Sequence, residues 1–174
     1  MQDETNQNKG NTAEYYVCYE LQKHGIPVWQ LGGNNRRWDI IIQKDEDQFI
    51  PAQVKARTQN AVVFRKEDLV LNKGYYFIYY DPASSKHKSA GRLVRYLEKA
   101  TLRISGIKQS SILLIFDSKH VKEMCEKARN RTSTNKNTIT TNMTNSDIEY
   151  GIKYVKTFFR KFGNPQIEPT AEED

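Results

Sequence analysis

The run WDIIIQ at residues 38–43 constrains the fold of this chain more than any other segment. As a strand it presents apolar side chains on both faces, which is typical of a central strand with layers packed on both sides of its sheet. Asp39 interrupts this run, and a charge among apolar residues destabilises a fold unless a partner compensates it. The next strand-like run, QFIPAQVKAR at 48–57, contains Lys55. The two charges therefore have to be explained together.

The rest of the chain alternates between helical and strand-like patterns. The predicted helices, in which apolar residues recur at helical spacing, are residues 12–24, 92–102 and 117–130. The predicted strands, which are short apolar runs, are residues 26–31, 61–64, 75–80 and 111–116. This alternation predicts an α/β protein with a core over residues 9–130.

Polar segments flank this predicted core. Residues 1–8 are predicted to be disordered, and residues 164–174 are predicted to form an acidic tail. Residues 131–146 consist mostly of Thr and Asn, which predicts a flexible polar linker that cannot bury a core of its own.

Residues 147–163 predict an extra, amphipathic helix near the C-terminus. Ser146 is expected to cap its start, and Gly163 is expected to end it. The apolar residues of one face are Ile148, Ile152, Val155, Phe159 and Phe162. This face is expected to pack on the main domain, in a dimer interface or against a protein partner.

The charge balance favours a polyanionic partner. The net charge is +6, and without Glu168, Glu172, Glu173 and Asp174 the remainder holds 27 basic and 17 acidic residues, a net charge of +10. The two cysteines lack metal-site spacing and are predicted to be free thiols in a reducing compartment. No apolar run approaches the ~18 residues that span a membrane, and the polar N-terminus is unlike a signal peptide. We therefore expect a cytoplasmic protein without a membrane partner.

Pairing of the two charged strands as a hairpin brings their polar residues together. A turn centred near residue 46 places Asp39 opposite Gln53. Gln53 and Lys55 are two residues apart and so project from the same face of the sheet. Pro51 lacks a backbone donor, and a bulge there would shift the register by one residue.

Glu14 is a further carboxylate that the first helix directs toward the sheet, because it shares a helix face with Val17 and Leu21. Three simpler interpretations stay open. Glu14 also fits a capping box with Asn11 as N-cap. Asp39 at a strand end pairs equally well with Arg36 or Arg37. Lys55 can also extend from a strand to the solvent.

Oxygen ligands of this kind suit Mg²⁺, which binds one or two carboxylates and retains several waters. Asp39 would be the principal ligand, joined by the side-chain oxygen of Gln53 and the main-chain oxygen of Val54. Glu14 would bind directly or through water. Lys55 would lie beside a metal-bound water and stabilise phosphate charge, as in-line hydrolysis of a phosphodiester requires.

The series Glu14, Asp39 and Gln53-Val54-Lys55 resembles the PD-(D/E)XK nuclease superfamily. The segment KGNTAEYYVCYELQKHGIPV also resembles the first helix of archaeal Holliday-junction resolvases, so the match covers residues 9–57. The resemblance implies a mixed central sheet flanked by helices, with Mg²⁺ as cofactor and Mn²⁺ able to replace it. Gln53 stands where the superfamily usually has an acid, as in the Q-x-K variants of Mrr-like restriction enzymes.

The function expected from this resemblance is a DNA endonuclease of the restriction, repair or junction-resolving type. The basic residues expected to follow the DNA backbone are Arg36, Arg37, Arg57, Lys86 and Lys88. One active site cuts one strand, so a homodimer is expected. Two alternatives remain. In the first, Gln53 marks a lost metal site and the protein is a DNA-binding or assembly module. In the second, the protein is a subunit of a larger restriction or recombination complex.

Overall fold

A computed structural model describes the protein over residues 2–31, 38–57, 61–67, 74–80, 96, 99–100, 112–129 and 137–163. The helices are α1 (Gln2–Lys23), α2 (Ser118–Arg129) and α3 (Asn145–Phe162). The strands are β1 (Val28–Gln30), β2 (Ile40–Asp45), β3 (Gln48–Arg57), β4 (Ala61–Arg65), β5 (Tyr75–Tyr80), β6 (Ile112–Asp117) and β7 (Thr138–Asn142). None of the described helices is long and apolar enough to cross a membrane.

Five strands form a mixed main sheet in the order β1-β2-β3-β5-β6, and β4 pairs with β7 in a smaller sheet. Strands β3 and β5 are parallel, whereas the other neighbours in the main sheet are antiparallel. The predicted α/β class with a mixed central sheet flanked by helices is therefore confirmed.

The main sheet is covered on both faces. On one, the α1 face, buried side chains of α1 pack on Ile40, Ile42, Ala52, Val54 and Phe77. On the other, the α2 face, the small sheet and α2 pack on Tyr76, Ile78, Tyr80, Leu114 and Phe116. Strand β2 is internal as predicted, but it is buried only through Ile40 and Ile42, because Ile41 and Gln43 on its other face are partly exposed.

The predicted register of the hairpin is confirmed. Ile40 lies opposite Ala52, and Ile41 lies opposite Pro51, so the proline is accommodated without a shift. The irregularity occurs instead between Gln43 and Asp45, next to the turn.

Two segments that were predicted to lack regular structure belong to a helix and to a strand. Residues 2–8 belong to α1, which begins at Gln2 and not near residue 12 as predicted. Residues 138–142 of the predicted linker form β7, in which Ile139 and Thr141 are buried between β4 and α2. Thr is β-branched and favours strands, and alternate burial requires only every second residue to be apolar. Residues 131–136 and the predicted acidic tail lie outside the described residues.

Helix α3 is part of the core and not an appendage. Ile148, Ile152 and Phe158 are buried, and Phe159 and Phe162 pack against the α1-face cluster. Of the three surfaces that the sequence left open for this stripe, the structure shows the main domain, since the chain's own sheet packs against it. The N-cap is Thr144 and not Ser146: its side chain accepts from the Asp147 N–H in a capping box, while Gly163 ends the helix as predicted.

Gly151 permits the close approach of α3 to β6. A methyl group there would lie 2.7 Å from Cζ of Phe116 and 3.0 Å from Cβ of Leu114, both fully buried. We expect Gly151→Ala to lower the free energy of unfolding by about 1–2 kcal/mol, because overpacking outweighs the better helix propensity of alanine. Urea denaturation measures this change.

Gly10→Ala in α1 is the matched control, because a methyl group there meets nothing within 4 Å. This variant is expected to be more stable by about 0.5–1 kcal/mol. A similar shift for both variants would contradict close packing at Gly151.

Candidate active site

Asp39 lies one residue before β2 and is held by the backbone of β3. Its N–H donates to the carbonyl of Ala52 at 3.0 Å, and its Oδ2 accepts from the N–H of Val54 at 2.7 Å. The carboxylate thus continues the strand pairing where the β2 ladder ends. Val54 precedes Lys55, so the contact fixes the carboxylate beside the QVK segment. The alternative partners Arg36 and Arg37 lie outside the described residues.

Gln53 and Lys55 project from the same face of the sheet, as predicted. The pairing of β3 with β5 sets Gln53 beside Tyr76 and Lys55 beside Ile78, which places both on the α2 face. Lys55 is partly exposed, whereas Gln53 is only 2 % exposed. The side-chain oxygen of Gln53 is buried without a hydrogen-bond partner among the described residues. Such an acceptor destabilises the fold by about 1–3 kcal/mol unless a donor or cation satisfies it.

Glu14 approaches the site from α1, on the opposite face of the sheet from Gln53. It is partly buried, and its Oε2 accepts from Nε2 of Gln30 at 2.9 Å. The capping-box interpretation of Glu14 is wrong, because α1 begins at Gln2 and Asn11 lies inside the helix.

The two carboxylates interact electrostatically with each other and with Lys55. Burial raises the pKa of Asp39, against the opposing effects of the Val54 hydrogen bond and the charges of Lys55 and Arg65. Burial also raises the pKa of Glu14; the Gln30 hydrogen bond and Lys55 oppose this, whereas the Asp39 charge adds to it. The cationic side chains therefore leave part of the carboxylate charge uncompensated, and a divalent cation would stabilise both ionised groups.

Arg65 at the end of β4 is a site residue that the sequence did not indicate. Its charge acts on Asp39, and its Nη1 lies 3.8 Å from Oε1 of Glu67. The small sheet thus adds a cation to the site. The sequence did not indicate this position, because β4 pairs with β7 and β7 lies in the segment that was predicted to be a linker.

The predicted DNA-binding residues are only partly described. Arg57 is partly buried, donates from Nη1 to the carbonyl of Ala56 at 3.1 Å, and has a pKa that burial lowers. A solvent-facing phosphate contact would need a more exposed guanidinium. The other four predicted residues, Arg36, Arg37, Lys86 and Lys88, lie outside the described residues.

The donor set has the composition of a magnesium site. Within the described ranges no group of three or more His, Cys, Asp and Glu side chains is arranged to hold a metal. Glu14, Asp39 and the unsatisfied oxygen of Gln53 are hard oxygen donors, and Mg²⁺ needs only one or two carboxylates beside waters. Asp39 and Gln53 thus supply oxygen donors that suit the predicted cofactor, while direct binding by Glu14 and by the Val54 carbonyl stays a prediction.

Comparison with known proteins identifies the fold. No protein-family model matches the chain, and no curated protein matches its sequence. The structure of the Holliday junction resolvase Hjc from Archaeoglobus fulgidus is similar, with a TM-score of 0.51 and 12 % identity over 90 % of this chain and 99 % of that one. A bacterial homing endonuclease has a TM-score of 0.43 and 13 % identity over 79 % of this chain and 78 % of that one. The likeness to the resolvase confirms the predicted fold.

Proposed function

We propose that the protein is a metal-dependent DNA endonuclease that hydrolyses phosphodiester bonds. The observation that carries this proposal is the 2.7 Å hydrogen bond from the Val54 N–H to Asp39, which fixes a carboxylate beside Lys55 in the fold of a resolvase. The same arrangement includes a second carboxylate, Glu14, and an unsatisfied amide oxygen, Gln53. A structural salt bridge would not require these further groups.

Each residue has a role that follows from its position. Asp39 and Gln53 would hold the metal, and Mn²⁺ would be able to replace Mg²⁺. Glu14, on the other face of the sheet, would act through its charge beside Asp39. Bound Mg²⁺ would supply Lewis acidity and lower the pKa of a coordinated water. Lys55, on the same face as Gln53, stabilises the charge that develops on the phosphate. Arg65 contributes a further positive charge near Asp39.

DNA is the proposed polymer because the chain is basic, with a net charge of +6. Duplex cleavage and junction resolution both require cuts in two strands, so the proposal includes a homodimer.

A DNA-binding module without activity is the second candidate. Gln53 favours it, because an amide replaces a charge where the superfamily has an acid, and this amide is only 2 % exposed. The fold would then be retained for binding or for assembly in a larger complex.

Cleavage of a panel of substrates separates the two candidates. Supercoiled plasmid, linear duplex and a four-way junction are incubated with Mg²⁺, Mn²⁺ or EDTA, and products are resolved on denaturing gels. We expect cleavage with either metal and none in EDTA, because the proposed hydrolysis requires the cation. Binding of all three substrates without any cleavage in either metal would contradict the endonuclease and favour the binding module.

A further inference from the structure

Trp29 and Phe49 form a solvent-exposed aromatic pair on the main sheet. Their ring centroids are 6.0 Å apart at an interplanar angle of 60°, and the two residues are 49 % and 56 % exposed. Exposed aromatic rings in contact are costly in water, and they therefore mark a binding surface more often than scattered exposed residues do.

The aromatic pair lies on the same face of the sheet as Gln53 and Lys55. Trp29 is paired with Ile41, and Ile41 with Pro51, so Trp29, Phe49 and Gln53 all project from the α2 face. The small sheet and α2 pack on the β5 and β6 side chains of this face. Phe49 and Gln53 are four positions apart in β3, about 13 Å along the strand, or about four base steps of a duplex.

A second copy of the chain is a poor occupant for this pair. Two aromatic side chains contribute at most about 500 Å², whereas a stable dimer buries about 800 Å² on each partner. The adjacent turn also carries Asp45, Glu46 and Asp47, all exposed. Two copies joined through so small a contact would bring these acidic turns close together.

The charge distribution fits a nucleic-acid strand whose phosphates and bases are bound in different places. Lys55 and Arg65 lie at the candidate active site, where they attract phosphate. Lys44 offsets only Asp45, at 3.5 Å, so the turn beside Phe49 keeps a net negative charge from Glu46 and Asp47. This charge repels phosphate, and a duplex backbone is not expected to run over the aromatic pair. A nucleobase is uncharged and stacks on aromatic rings, but in a duplex its faces are already covered by neighbouring bases.

We propose that Trp29 and Phe49 form a stacking subsite for an unpaired nucleobase of the DNA held at the candidate active site. The location of this subsite rests on the proposed function, whereas its affinity for unpaired bases does not require cleavage. The protein therefore binds DNA that has unpaired bases near the cut position more tightly than a continuous duplex.

Fluorescence measures the stacking directly, because the chain has only two tryptophans, Trp29 and Trp38. Trp38→Phe leaves Trp29 as the single tryptophan, and the full-length variant is titrated in EDTA with unpaired oligo-thymidine or with a hairpin duplex of equal length. We expect the unpaired strand to quench Trp29 emission at concentrations where the hairpin does not.

Affinity measurements in the native background provide a second readout that does not depend on the folding of Trp38→Phe. By anisotropy of labelled DNA, Trp29→Ala and Phe49→Ala are each expected to weaken binding of unpaired DNA about 5- to 100-fold, and duplex binding less than about twofold. Tyr19→Ala is the matched control: Tyr19 is 60 % exposed on α1, which packs on the opposite face, and its loss is expected to change neither affinity.

The outcomes distinguish the subsite from the endonuclease. Unchanged binding of unpaired DNA by both alanine variants, or binding without quenching of Trp29, overturns the subsite even if the protein cuts DNA. Quenching and weakened variants in a protein that cuts nothing support the subsite and contradict the endonuclease. Absence of binding to either DNA overturns both.

Discussion

Asp39→Asn is expected to lower the rate of metal-dependent DNA cleavage by about 100-fold or more while the fold is retained. The asparagine oxygen can still accept the Val54 N–H, so the junction between β2 and β3 keeps its hydrogen bond. The negative charge that would bind the cation is lost. Because burial raises the pKa of Asp39, removal of this charge is not expected to lower the free energy of unfolding. Initial rates of plasmid nicking in Mg²⁺ and thermal denaturation measure the two effects separately.

Two further variants define what the loss of activity means. Lys55→Met is expected to show a similar loss of cleavage, since it keeps the aliphatic stem and removes the charge that stabilises phosphate. Asp45→Asn changes an exposed carboxylate at the far end of β2 and is expected to cut at the native rate. If Asp39→Asn cuts as fast as Asp45→Asn, Asp39 is a structural residue and the proposed active site is wrong.

Features that depend on contacts between neighbouring segments were predictable from the sequence. The hairpin that carries Asp39 and Lys55 is such a case: alternating apolar residues and a short turn fix its register, and Ile40 pairs with Ala52 as expected. The strand YYFIYY was predicted at its observed bounds, Tyr75–Tyr80, because a run of buried aromatic residues has few alternatives to a central strand.

Features that depend on distant contacts were not predictable in this way. The Thr- and Asn-rich segment around Ile139 becomes a strand only because β4 offers a partner about 75 residues earlier in the chain. The same pairing places Arg65 near Asp39, so this site residue was missed as well. The surface on which the α3 stripe packs was left open, because an amphipathic pattern does not show whether the helix packs on its own sheet or on a partner protein.

Gln53→Glu is the second decisive substitution, because it places the acid of the superfamily pattern at a residue that is only 2 % exposed. Without metal, a buried carboxylate has a raised pKa, and the variant is expected to lose about 2–4 kcal/mol of stability at pH 8. The loss of stability begins as the pH rises above the unfolded pKa of about 4.3, and it grows until the pH reaches the folded pKa. At pH 4 the variant is therefore expected to be almost as stable as the native protein. If position 53 is a ligand, saturating Mg²⁺ restores much of this stability, since the added negative charge strengthens cation binding.

Chemical denaturation with Mg²⁺ or EDTA tests this expectation in the full-length protein. Gln48→Glu is the matched control in the same strand: Gln48 is exposed, its side chain accepts from Lys44 Nζ at 3.0 Å, and a carboxylate can keep that contact. The control is expected to change the free energy of unfolding by less than about 0.5 kcal/mol, and its stability is expected to be the same with and without Mg²⁺. Recovery of Gln53→Glu in Mg²⁺, together with faster cleavage at low metal concentration, would establish position 53 as a metal ligand whose amide limits the native enzyme. A variant that stays equally unstable with and without Mg²⁺ would show that the buried oxygen of Gln53 does not face a cation, which favours the binding module.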